Sequence, residues 1–127
     1  MNQFPFHRLK AYQHSFEFHR FILELRKRLP RGLGELSDQI YRASTPNILN
    51  LAEGSASWNR GIKLRHFRIA IASQAECQSA LDLIGLEVEF EGGFLDRGVS
   101  HLDDARKFTA GLLKSLGPPE EFSITAR

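Results

Sequence analysis

The chain has 127 residues, a formal net charge of +2, 42% hydrophobic and 25% charged residues, and one cysteine. That is the length of a single domain able to bury most of its apolar surface, while so modest a charge excludes a dedicated high-affinity nucleic-acid binder. The lone Cys77 excludes an intramolecular disulfide and fits a reducing compartment, and the absence of a membrane-length apolar run or a signal peptide leads us to expect a cytoplasmic protein.

Residues 1–7 read as an extended lead-in. Helix one is expected over Arg8 to Leu29 with two apolar stripes. Ala11, Phe18, Ile22, Leu25 and Leu29 form the first; Leu9, Tyr12, Phe16 and Leu23 form the second, on roughly the opposite side. A four-helix bundle needs one broad stripe per helix. The second is therefore a candidate subunit interface with another copy of the chain. The competing reading is one wide core stripe with partly exposed flanks.

Pro30 to Gly34 turns the chain. Arg26, Lys27, Arg28 and Arg31 make a basic corner there, which either complements the helix dipole or contacts phosphates. Helix two is expected over Leu36 to Gly54, with Leu36, Ile40, Ala43, Asn47 and Leu51 facing the core. Gln39, Pro46, Asn50 and Glu53 form a polar ledge, with Arg42 just beyond. That ledge is read as a satisfied network fixing helix register, against a ligand site. Pro46 predicts a kink near Arg42 to Thr45, and Gly54 suits a left-handed cap.

Ser55 to Gly61 reads as a polar loop carrying the only tryptophan, Trp58. Beside Arg60, Lys63 and Arg65 it can stack on an unpaired base; the expected role is packing over the bundle's end. Asn59 is the N-cap of helix three, expected over Ile62 to Glu89 and about 40 Å long. Phe67, Ala70, Ile71, Cys77, Leu81, Ile84 and Val88 supply its apolar side, and Cys77 is expected as a small buried hydrophobe. Glu76 is the candidate for a buried pairing with Arg42. Gly92-Gly93 marks a loop, and helix four is expected from Ser100 behind a capping-box-like Ser-His-Leu-Asp. Leu102, Ala105, Phe108, Leu112 and Leu116 form its apolar face.

The expected fold is therefore all-α, an antiparallel up-down four-helix bundle over residues 1–116, with 117–127 as a flexible tail. Charge is uneven along it. Residues 1–34 hold seven Lys/Arg against two acids, and residues 69–98 hold one against six. His7, His14, His19, His66 and His101 form no metal motif. No phosphate loop, nucleophile elbow or di-iron Glu-x-x-His pair is present, so no enzyme, cofactor or small-molecule substrate is expected.

Leu36, Gln39, Arg42-Ala43-Ser44, Asn50, Ala52-Glu53-Gly54, Phe67, Ile69-Ala70, Ser73 and Glu76 together carry a resemblance. The chain is similar to bacterial four-helix-bundle proteins first noted as reading frames inside intervening sequences of large-subunit ribosomal RNA genes. It departs from them in an earlier proline at Pro46, in Leu51 for a usual isoleucine and in Ala72 for a common glycine. The resemblance implies a closed ring, typically of five subunits. It also implies a fold similar to the accessory variability proteins of diversity-generating retroelements, which bind nucleic acid and a reverse transcriptase through a basic pentameric barrel. On that footing Arg26, Arg28, Arg31, Arg60, Lys63 and Arg65 are the candidate contacts to RNA or DNA. The alternative is a protein-interaction scaffold without nucleic acid.

Overall fold

Four helices pack side by side: α1 Lys10–Arg28, α2 Gly34–Ala56, α3 Arg60–Glu87 and α4 Phe94–Ser115. The structure, a computed structural model, describes residues 4–117, so the expected tail at 118–127 lies outside the described residues. The chain is an all-α four-helix bundle. Helices α1 and α3 both pack against α2 and α4. Residue pairs run in opposite order along packed neighbours. Ala11 shares a cluster with Leu112 and Leu116, whereas Phe21 meets Gly98 and Phe94. Along α2 and α3, Gly54 lies on Phe67, Asn47 on Gln74 and Gln39 on Glu76.

The core stripes are where apolar periodicity puts them. Phe18, Ile22, Leu25, Ile40 and Ile84 are fully buried. Phe21, which belongs to neither expected stripe of α1, is buried as well. An apolar layer separates into two clusters. The larger holds Phe18, Phe21, Ile22, Leu25, Ile40, Cys77, Leu81, Ile84, Phe94 and Leu102. The smaller holds Ala11, Leu51, Phe67 and Ala70. Between them every helix contributes a buried polar side chain: Ser15, Asn47, Gln74 and Thr109. Gln74 Nε2 donates to Asn47 Oδ1 and to Thr109 Oγ1, both at 2.9 Å. A polar network on residues that the sequence reading did not pair thus sits in the core.

Three expected boundaries shift. Residues Pro5–Arg8 form a short 3-10 turn instead of an extended lead-in. Gly54 does not end α2, which continues to Ala56. It is buried, and a Cβ there would lie 2.6 Å from Phe67 Cε1, so its missing side chain makes room for that ring. Helix α4 begins at Phe94, not at Ser100, directly after Gly92 and Gly93 at φ 65° and 69°. The left-handed pair makes the turn that glycine alone adopts without penalty, and Phe94 then enters the core. Helix α2 runs through Pro46 uninterrupted, and Asn50 Nδ2 donates to Pro46 O at 2.8 Å.

Candidate nucleic-acid interface

Folding sorts the charges along the long axis. One end gathers residues 4–12, 51–66 and 109–117, with six Lys/Arg (Arg8, Lys10, Arg60, Lys63, Arg65 and Lys114) against one acid, Glu53. The other end gathers residues 24–38 and 84–98, with five Lys/Arg against seven acids. The six candidate contacts therefore do not form one patch. Arg26, Arg28 and Arg31 lie at the acidic end, about 28 Å from Arg60, Lys63 and Arg65, the length of α1 at 1.5 Å per residue. A Debye length near 8–10 Å screens the two ends from each other.

At the acidic end the cations are largely engaged. Arg26 Nη2 pairs with Asp38 at 2.9 Å while its Nε donates to Ser37 Oγ at 3.0 Å. Arg28 pairs with Glu24 at 2.8 Å and covers the Phe94 ring. Arg31 is exposed. At the basic end two of the three cap helices. Arg60 Nε donates to Leu116 O at 2.6 Å, and Lys63 Nζ donates to Gly54 O and Ser55 O at 3.0 and 3.2 Å. Those carbonyls are the orphaned acceptors of a helix C-terminus, so a cation there is doubly favoured. Arg65, Arg8, Lys10 and Lys114 are exposed. The last three escaped sequence reasoning because they come from the N-terminal turn, α1 and α4, far in sequence from Arg65.

Between α2 and α3 stands Trp58. It was expected to pack over the bundle's end; it is 99% exposed instead. The connection around it is short and held. Ser57 N donates to Gly54 O at 3.4 Å, and Asn59 N donates to Ser57 Oγ at 3.1 Å. Asn59 Oδ1 caps α3 by accepting from Ile62 N at 2.9 Å, as its N-cap position requires.

The ledge of α2 is a surface arrangement. Gln39 Nε2 donates to Glu76 Oε2 at 2.8 Å, and both side chains are exposed; Glu76 does not pair with Arg42, which is also exposed. His66 places Nδ1 2.8 Å from Asn50 Oδ1 and Nε2 3.7 Å from Glu53 Oε2. Of the second stripe of α1, Leu23 is exposed and Phe16 half-buried. Leu9 and Tyr12 are half-buried, and the Phe6 ring of the N-terminal turn packs at a tilt 4.8 Å from that of Tyr12. The chain's own turn thus covers part of the stripe assigned to a second copy.

Reactive chemistry is muted. Burial, with the Glu76 carboxylate second, pushes the Cys77 thiol up to about 12, which leaves it protonated and inert. Burial, then Arg26, holds His19 below the usual histidine range, and its Nδ1 lies 2.9 Å from Ser44 Oγ. Among the described residues no group of three or more His, Cys, Asp or Glu can hold a metal ion, and no helix is long and apolar enough to cross a membrane.

These features define a small helical bundle whose distinguishing surface is electrostatic. A family model described as 23S rRNA-intervening sequence protein matches residues 7–87, from the N-terminal turn to the end of α3. The chain belongs to that family. No curated protein and no solved structure matches it.

Proposed function

We propose that this is a non-enzymatic, cytoplasmic bundle that assembles into a closed homo-oligomer, a pentamer as the family resemblance implies, and holds RNA or DNA on its basic end. The observation that carries this reading is the axial sorting of charge, six Lys/Arg against one acid among the described residues at the end carrying Trp58. Polyanion affinity arises from counterion release, so it is read as a salt slope. Substituting Lys10, Arg65 and Lys114 by Gln is expected to reduce the slope of log affinity against log salt by about two for a single strand. The same change at Lys27 and Arg31, on the opposite end, is expected to leave it alone. An unchanged slope in the first variant sinks the nucleic-acid reading.

Assembly has its own support in Leu23, Tyr41 and Leu49, which stand 45%, 36% and 53% exposed on the outer faces of α1 and α2. Phe16→Glu combined with Leu23→Glu is expected to convert the oligomer to a folded monomer in native mass spectrometry. A ring of unaltered mass removes these residues from the interface. The second reading, a protein-interaction scaffold, is favoured by one observation: Arg26, Arg28, Arg60 and Lys63 already bond within the chain.

A further inference from the structure

We propose that Trp58 is a stacking platform for an unpaired nucleobase, so that the basic end prefers single-stranded to duplex nucleic acid; this rests on the nucleic-acid reading above. A large aromatic side chain stabilises a fold chiefly through the apolar surface it buries. Trp58, 99% exposed, gives the fold none of that. Nor is it displayed on a loose loop. Only Ser57, Trp58 and Asn59 separate α2 from α3. The residues on either side are tied down: Ser57 to the last turn of α2, Asn59 to the first turn of α3, and Lys63 to the carbonyls of Gly54 and Ser55. The indole is therefore presented from a fixed backbone, and the entropy of ordering a loop is not lost on binding.

Its surroundings select the occupant. Arg65 is exposed one turn into α3, and Arg60 and Lys63 add two more cations in the first turn of that helix, directly after the connection that carries Trp58. Arg8, Lys10 and Lys114 stand at the same end, where Glu53 is the only acid among the described residues. An aromatic face within a cationic rim is the arrangement that holds a single strand: phosphates on the cations, a base on the ring. Paired bases in a duplex keep their faces stacked on one another, so a duplex offers the rim its phosphates and the indole nothing. An acidic peptide satisfies the cations but has no planar face matched to a fixed indole.

The sequence contains one tryptophan, so intrinsic fluorescence reports on this site alone. The probe is an oligodeoxythymidine of about 12 nucleotides, within the range one single-strand site covers, compared with a duplex of equal length at one salt concentration. We expect quenching by the single strand and little by the duplex. Trp58→Ala is expected to weaken single-strand binding about tenfold, with the salt slope and the duplex affinity unchanged, and Trp58→Phe to recover most of the loss. Because the side chain touches nothing in the fold, its removal leaves stability unaltered. Unchanged single-strand affinity in Trp58→Ala overturns the proposal while leaving polyanion binding intact. Fluorescence that follows protein concentration and ignores the oligonucleotide overturns it in favour of a second copy covering the indole. Binding of neither probe removes this proposal and the nucleic-acid reading together.

Discussion

Gly98→Val is expected to lower the stability of this bundle by about 3 kcal/mol. Gly98 is buried in the first half of α4. The nearest atoms to a Cβ built there are Cε2, Cδ2 and Cζ of Phe21, so the added carbon would occupy the ring itself. The ring has nowhere to go: Phe18 lies 6.0 Å away and Phe94 4.9 Å away between centroids, and Arg28 stacks on the far ring of Phe94 at 4.0 Å. Valine also lacks the gain in helix propensity of up to 1 kcal/mol with which alanine would offset part of the clash. A loss of that size moves the thermal midpoint of a domain this long by on the order of 10 °C. The measurement is a thermal melt of Gly98→Val beside Gly98→Val/Phe21→Leu. The double variant is expected to recover more than half of the loss, since a smaller side chain vacates the contested space. A single variant that melts with the parent would mean that α4 sits farther from α1 than the contact requires.

Gln74→Ala is expected to cost about 2–4 kcal/mol, combining a cavity with broken buried hydrogen bonds. Gln74 is 1% exposed and is the donor that joins α2 to α4 across the core, through Asn47 and Thr109. Asn47 Nδ2, Gln74 Oε1 and Ser15 Oγ have no partner among the described residues. The layer is therefore only partly satisfied, and a single truncation adds another unpaired group to it. Removing both amides works differently, because two leucines leave no stranded amide and no void, and Thr109 Oγ1 keeps its bond to Ala105 O. Gln74→Leu/Asn47→Leu is expected to melt within about 1 kcal/mol of the parent or above it. Chemical denaturation of the two variants decides the matter. Equal losses in both would show that size alone, not hydrogen bonding, governs this layer.

Much of the architecture was legible because helix periodicity is a local signal. Phe18, Ile22 and Leu25 repeat at helical spacing, and so do Ile40, Ala43, Asn47 and Leu51; each set marks its own inward face. The misjudged positions all depend on a partner in another helix. Gly54 reads locally as a helix cap and Gly98 carries no local signal, yet each is a gap that receives a ring, Phe67 and Phe21 respectively. The capping-box-like Ser-His-Leu-Asp, a purely local signal, is what placed the expected start of α4 at Ser100, six residues late. Gln74 sits at a core position of α3, where a polar residue makes sense only once Asn47 and Thr109 are placed beside it.

The candidate interface was less legible for a related reason. The densest basic run in the sequence, Arg26 to Arg31, folds among Glu24, Asp38 and the acids that follow α3, which offset it. The end with excess positive charge is assembled from Lys10, Arg65 and Lys114, single cations on three different helices. No window along the chain shows it. Trp58 had two readings in the sequence, and only its exposure separates them.

The axial sorting of charge has a consequence for symmetry. Cyclic point groups contain no operation that turns a subunit end over end. In a ring whose axis runs along the helices, every bundle would show its positive end on one rim and its negative end on the other. Such a ring has two unlike sides, and its charge asymmetry grows with each subunit added instead of cancelling. A dihedral assembly behaves in the opposite way, because its two-fold axes pair like ends, basic with basic or acidic with acidic, and the asymmetry cancels. A single-layered ring of this chain would thus carry a dipole along its axis, and a double-layered one would not.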